Sequence, residues 1–246
     1  MTITLCGAPA SDSSACVEAV LRLKDVPYRR MDRLPFLDRA TPRDEGGPFT
    51  VPTVRAGDVR ISGTRRILTQ LDRWFPNRRL YPDTPAGLAS IRAVEEWNAT
   101  HLQPAVRRIL IAAVRRAPKA LDSYVEASPT MLPPWSRAVT RLPSIAFGWF
   151  VHNAAEHEVA ADIAELPGHI ERVDELISDG ILGQPVASAA DLQVAATLRL
   201  LSTIGDIQPL LTNRAAAQFA VELFPLFPGN VPGRLLPARW FADQLT

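Results

Sequence analysis

Residues 50–71, TVPTVRAGDVRISGTRRILTQL, constrain the fold more than any other stretch of the chain, because they carry two structural periods separated by turn residues. Pro52 has no amide hydrogen and is tolerated only at the start or edge of a strand. A Val-Pro bond also makes the cis isomer accessible, about 0.5 to 1 kcal/mol above trans. Val54 and Val59 flank Gly57-Asp58, a two-residue hairpin signal, because glycine and aspartate accept the positive φ of tight turns. Ile61 closes the second strand. After Ser62 and Gly63 the period changes from two to 3.6: Ile67, Leu68, Leu71, Trp74 and Phe75 share one helical face, and Pro76 ends it.

The remainder of the chain bounds the classes of function. A chain of 246 residues is long enough for two small domains. An apolar fraction of 47% and a net charge of +1 offer no electrostatic pull toward nucleic acid or acidic membranes. The best apolar run, IAFGWFV at 145–151, is far shorter than the roughly 18 residues that span a bilayer. MTITLCGAPASDSSAC has neither a basic start nor an apolar core, so the expectation is a cytoplasmic protein without a signal peptide. Cys6 and Cys16 match no CxxC pair or zinc spacing and read as buried free thiols. Of 27 basic residues only Lys24 and Lys119 are lysine, a compositional bias.

In the N-terminal part, ITLCGA (3–8) reads as a short strand and Ser11, Asp12, Ser13 and Ser14 as a helix start rich in capping residues. Val17, Val20, Leu21 and Lys24 come next on helical spacing, and VPYRRM (26–31) is the next strand. Strand, helix, strand implies a parallel pair with a crossover.

The order strand, serine-rich loop, helix, Val-Pro-Tyr, then Val-Pro, hairpin and helix resembles the thioredoxin-like domain of the glutathione S-transferase superfamily. In that register Ser11 takes the position of the catalytic serine of the theta and zeta classes, and Gly7 stands where other classes carry tyrosine. The resemblance implies that Ser11 donates a hydrogen bond to a thiol sulfur at the positive end of the first helix, favouring the thiolate of a group whose free pKa is about 8.5. Ser11 acting only as the helix cap, or Ser13 or Ser14 supplying the donor, stays open at this level. Val51 and Pro52 would pair with the thiol's peptide-like part. Gly63 and Thr64 occupy the positions where the superfamily holds the γ-glutamyl group with an acid or amide followed by serine; the hydroxyl is kept and the acid is not. Gly63 also reads as a turn residue with positive φ. Residues 32–49, with three prolines and two glycines, stand where the superfamily has its second helix, and imply a truncated or irregular one.

RRLYPDTPAG (78–87) has the chemistry of a linker, and the chain beyond it reads as helices. Leu88, Ile91, Val94, Leu102, Ile109 and Ala113 define one helix kinked at Pro104; Leu142, Ala146, Trp149 and Phe150 a second; Leu166, Ile170, Val173, Leu176 and Ile177 a third ending at Gly180. Ser188 and Asp191 have the spacing of a capping box, which the superfamily places ahead of a buried central helix. The expected class is an α/β thioredoxin-like domain (1–80) followed by an all-α domain (86–246).

The segments RRLYPDTP, EEWN and LQPAVRRIL look most like bacterial transferase-like proteins common in actinobacteria, and of the serine type. The resemblance implies a small-molecule thiol, glutathione or mycothiol, as co-substrate, an apolar electrophile between the domains, no bound cofactor or metal, no nucleic-acid or membrane partner, and a homodimer. The other function open at this level is a binding or interaction module that kept the fold without the chemistry. His101 beside Trp97 reads as a surface or core-edge histidine, Arg65-Arg66 and Arg107-Arg108 as solvated helix faces, and His152 and His157, five residues apart, lack the i, i+4 spacing of a helical metal pair; no HExxH, GxSxG, P-loop or GxGxxG occurs.

Overall fold

The computed structural model of the protein describes residues 3–32, 51–126 and 134–244, with side chains in helix α6 given from Thr140 onward and those of 243–244 left undescribed. All statements of arrangement concern these residues. The second-helix expectation for 32–49 lies, beyond Asp32, outside them.

Strand β1 (Ile3–Gly7) buries Ile3 and Leu5 on its core face, and helix α1 (Asp12–Leu23) packs Cys16, Val17, Val20 and Leu21 into the interior. Strand β2 (Tyr28–Asp32) runs parallel to β1 with Ile3 opposite Tyr28. It starts two residues later than the sequence pattern predicts. Asp25 sits at φ 54 and the Val26 amide returns to Leu21 O at 2.9 Å, so Asp25 and Val26 close the helix before a strand can begin. Strands β3 (Thr53–Ala56) and β4 (Val59–Ser62) form the expected hairpin, with Ala56 opposite Val59 and Gly57 at φ 60. The sheet order is β2-β1-β3-β4, with β3 antiparallel to β1. Helix α2 (Thr64–Trp74) buries Ile67, Leu68 and Leu71 and packs on α1.

One buried cation fixes the exit from this layer. Lys24 Nζ, wholly shielded, donates to Asp72 Oδ1 at 2.8 Å and to the carbonyls of Phe75, Asn77 and Arg78 at 2.7, 3.0 and 3.2 Å. Asp72 Oδ1 in turn accepts the Leu80 amide at 2.9 Å. The irregular stretch after α2 thus has its backbone acceptors satisfied by a side chain, as a buried loop requires.

Helix α3 (Pro85–Trp97) begins inside the stretch read as linker, because Thr84 accepts the Gly87 amide at 3.2 Å and Pro85 suits a first turn. The expected kink is a π-helical turn, Asn98–Leu102, joining α3 to α4 (Gln103–Arg116). Pro104 stands in the first turn of α4, in backbone that stays helical from α3 through the π turn, so its missing amide removes one helical hydrogen bond and the widened turn before it absorbs the change of register. Helices α5 (Asp122–Val125), α6 (Pro134–His152) and α7 (Glu156–Ser178) come next, the last ending at Asp179 with Gly180 at φ 69. The chain continues through α8 (Ala189–Ser202), α9 (Gln208–Leu211) and α10 (Ala215–Leu223).

Helix α8 is buried almost all round and packs against α1, α3, α4 and α10, which makes it the centre of the helical part. Its capping box is formed: Ser188 Oγ accepts the Asp191 amide at 3.2 Å and Asp191 Oδ2 accepts the Ser188 amide at 2.8 Å. Helix α6 differs from expectation in its orientation. Leu142 and Phe150, two of the apolar residues that reveal it, are 64% and 80% exposed. The helix turns Ile145 and Gly148 toward α4 instead, and a Cβ on Gly148 would come within 2.6 Å of Ile111 Cδ1.

The chain is therefore an α/β thioredoxin-like layer followed by an all-helical part, and buried side chains from Ile3 to Leu236 form one continuous cluster through both. Among the described residues no helix is long and apolar enough to cross a membrane.

Candidate functional site

The site grows from the turn between β1 and α1. Ser11, extended at φ −108 and ψ 107, is the N-cap of α1; its Oγ accepts the Ser14 amide at 3.1 Å and the Ser14 hydroxyl at 3.0 Å. Ser14 Oγ, fully buried, accepts the Ala8 amide at 3.2 Å. The relay Ala8 N–H to Ser14 O–H to Ser11 runs in one direction, so the Ser11 hydroxyl has filled both acceptor positions and keeps its own hydrogen to donate outward. Capping and donation use opposite ends of the same hydroxyl and do not compete. Gly7 makes the relay possible: a Cβ there would stand 3.1 Å from Ser14 Oγ and from Asp32 Oδ1. A tyrosine at Gly7 would crowd out the serine arrangement.

Asp12, next to the cap and 1% exposed, ties the α/β layer to the helical part. Its carboxylate accepts from Arg107 Nη2 and Gln103 Nε2, each at 2.8 Å, and from Thr197 Oγ1 at 3.1 Å. Burial alone would push this carboxyl up; the Arg107 charge, with hydrogen bonds from Arg107 and Gln103, outweighs it and holds the group below its ordinary value. Neutralised in this way, Asp12 does not cancel the positive end of α1 beside Ser11.

Ser11 opens on two cavities. One, of about 390 Å³, lies between the β1–α1 turn, α4 and α6, with Val51, Leu110, Ile111 and Val114 among its apolar walls and Arg107 and His152 as charged or titratable members. The other, of about 920 Å³, is bounded by α1, the end of β2 and the Phe224–Pro228 stretch of the C-terminal segment. Its polar rim is internally paired. Glu18 accepts the Tyr28 hydroxyl at 2.6 Å and the Arg22 Nη2 at 2.7 Å and also pairs with Arg30, while Arg30 Nε reaches Asp32 at 2.9 Å.

The protein thus combines an α/β layer of order β2-β1-β3-β4, a cis peptide bond at Val51–Pro52, a serine-capped first helix and a capped, buried central helix in an all-α second part. Solved structures align over the whole of this arrangement. A glutathione S-transferase from Sinorhizobium meliloti 1021 matches with a TM-score of 0.60 at 20% identity, covering 99% of each chain. This is the glutathione S-transferase fold. Poplar glutathione transferase F1 matches it with a TM-score of 0.62 at 15% identity, over 100% of this chain and 99% of its own. A glutathione S-transferase from Methylobacterium radiotolerans, solved in complex with glutathione sulfonate, matches with a TM-score of 0.51 at 18% identity, over 99% and 94%. No protein-family model and no curated protein sequence matches the chain.

Within the glutathione transferase fold, Ser11 and Val51 share the wall of the smaller cleft. Pro52 is buried, and its carbonyl accepts the Gly63 amide at 3.3 Å, which holds the start of α2 against the Val51–Pro52 turn. Gly63, at φ 89, precedes α2 without any side-chain cap bond, and Thr64 is the first helical residue. The turn reading of Gly63 is thus physically required: that φ is costly for residues with a side chain.

The structure corrects two sequence readings and places one further residue. Arg107-Arg108 is not a solvated face; Arg107 pairs with buried Asp12, and Arg108 grips Asp162 with two hydrogen bonds of 2.6 Å. His152, to which the sequence assigned no role, lines the cleft, half-buried. Of the two thiols, Cys16 is buried, and burial with the charges of Asp12 and Glu95 pushes it well above its ordinary value, while Cys6 is only half-buried. His101 does lie on an exposed surface, beside Trp97 and His169. Among the described residues no group of three or more His, Cys, Asp or Glu could hold a metal ion. Asp12, Gln103 and Arg107 escaped sequence reasoning because their partners lie about 90 or more residues away; the one available signal was an acidic residue inside a serine cap cluster.

Proposed function

We propose that the protein is a serine-type thiol transferase, in which Ser11 donates its free hydroxyl hydrogen to the sulfur of a low-molecular-weight thiol, glutathione or mycothiol, and the smaller cleft holds an apolar electrophile. The observation that carries this reading is the Ser14-to-Ser11 relay at the start of α1, which leaves Ser11 a donor at the mouth of an apolar cleft. A hydrogen bond to a charged sulfur contributes about 1.5 to 3 kcal/mol, equivalent to roughly one to two pKa units. That shift changes a thiol near 8.5 from a few per cent thiolate at neutral pH to a large fraction.

Val51 offers its backbone to the thiol's peptide-like part beside Pro52. Thr64, with its hydroxyl and the uncapped amides of the first turn of α2, suits a carboxylate. The 1–80 and 86–246 segments act as a thiol-binding domain and an electrophile-binding domain. Calorimetric titration with glutathione and mycothiol tests the reading: one of them binds, and Ser11→Ala turns over a thiol-dependent electrophile at least about tenfold more slowly. Absence of binding by both thiols would sink it.

Gly63 favours a second reading. With no side chain and φ 89, it has nothing to pair with an ammonium group, which suits a binding module that kept the fold and lost the grip on the thiol. Equal rates for Ser11→Ala and the native chain would decide for the module.

A further inference from the structure

Helix α6 has an apolar face that no other described element covers. Leu142, Ala146, Trp149 and Phe150 fall at i, i+4, i+7 and i+8, one side of the helix, and all four are exposed. Leu142, Trp149 and Phe150 are 64%, 40% and 80% exposed. The opposite side is committed: Ile145 and Gly148 line the smaller cleft, and α6 packs on α4 and the 3-10 turn Pro118–Leu121. A Cβ on Gly148 would come within 2.6 Å of Ile111 Cδ1, so the close seat on α4 fixes the rotation that leaves Trp149 and Phe150 outside.

The charge around this face is one-sided. The net charge of +1 for the whole chain is unevenly spread, because residues 127–155 contain no Asp or Glu and carry Arg137 and Arg141. Arg141 pairs with Asp122, and at the far end of the helix Arg116 pairs with Glu156. Arg115 of α4 is exposed and has no carboxylate partner among the described residues; its guanidinium stands 5.4 Å from the centre of the Trp149 ring. The apolar face is thus flanked by a cation that its own surroundings do not neutralise.

We propose that the outer face of α6, with Arg115 beside it, docks the protein on an anionic lipid surface. This goes beyond the thiol-transferase reading and does not rest on it. Leucine, tryptophan and phenylalanine on one side of a helix, with arginine at the edge, suit the boundary between headgroups and acyl chains. Seated on α4, the helix lies on the bilayer and does not enter it lengthwise. A folded protein partner would need hydrogen bonds across the contact, roughly one per 100 to 200 Å², and the exposed side chains of this face offer only the Trp149 indole N–H. A second copy laid face to face would bring two Arg115 side chains together, with no carboxylate in 127–155 to meet them.

Co-sedimentation of the full chain with vesicles of phosphatidylcholine alone, or mixed equally with phosphatidylglycerol, tests the docking. The mixed vesicles should be bound about fivefold or more tightly, a preference that falls away between about 0.1 M and about 0.5 M salt. Leu142→Ser combined with Phe150→Ser should weaken binding about tenfold or more. Arg115→Gln should lower the phosphatidylglycerol preference several-fold. Neither Leu142 nor Phe150 lines the cleft, so any thiol-dependent rate in solution should be unchanged in that variant. If it fails to fold by circular dichroism, Arg115→Gln decides. Equal binding to the two vesicles, or an unchanged preference in Arg115→Gln, overturns the proposal. So does self-association in sedimentation velocity that Leu142→Ser with Phe150→Ser abolishes while vesicle binding is absent, which would assign the face to a second copy.

Discussion

At the scale of single residues, the hydroxyl of Ser11 serves two purposes, and its removal separates them. Ser11→Ala deletes a cap that accepts two hydrogen bonds, so the protein should lose roughly 0.5 to 2 kcal/mol of stability, read from its denaturation midpoint. A thiol-dependent rate should fall further than that stability loss explains, because the donor to sulfur goes with it. His152 gives a pH signature. Its ring is depressed to about 4 from an ordinary value of 6.5, by burial first and by Arg107 and Arg108 against the opposing charge of Asp12. Between those values the unfolded chain binds more protons than the folded one, so stability falls as pH drops from about 6.5 to about 4. Replacing His152 by Phe removes that slope, and urea midpoints between pH 7 and 4.5 measure it. Asp12 acts lower, since its depressed carboxyl loses stability only as pH falls below the ordinary carboxylate value.

At the scale of elements, two buried side chains terminate or start helices that would otherwise leave backbone groups unpaired. Asp191→Ala opens the capping box of α8 and also frees the Gly183 amide, which the carboxylate accepts at 2.7 Å. The expected loss is roughly 0.5 to 2 kcal/mol, toward the upper end because the residue is buried; an unmoved denaturant midpoint would count against the box. Lys24→Met removes the cation that satisfies Asp72 and three carbonyls after α2. Breaking one partner of a buried pair costs about 3 to 5 kcal/mol. The same substitution with Asp72→Leu added should recover part of the loss, which chemical denaturation of the single and double variants reads directly.

At the scale of the whole molecule, the α/β layer and the helical part share one core and are joined by the ion pair of buried Asp12 with half-buried Arg107. The expected consequence is one cooperative unfolding transition, seen as coincident far-ultraviolet and tryptophan signals; two separated transitions would contradict it. Much of this architecture was legible in the sequence. The hairpin at Gly57-Asp58, the serine cap of α1, the period of α2 and the Ser188–Asp191 box are local patterns, fixed by neighbours within a few positions, and each element stands where its pattern placed it. The outward face of α6 was not legible, because an apolar period reveals a helix without saying which side another element covers. The sequence by itself thus determined these locally patterned elements, their order and the serine at the start of α1. Only the tertiary structure decided that Arg107, Asp12 and His152 converge on the Ser11 cleft, because charge pairing and desolvation depend on distance in space, and these residues are brought together by helices distant in the chain.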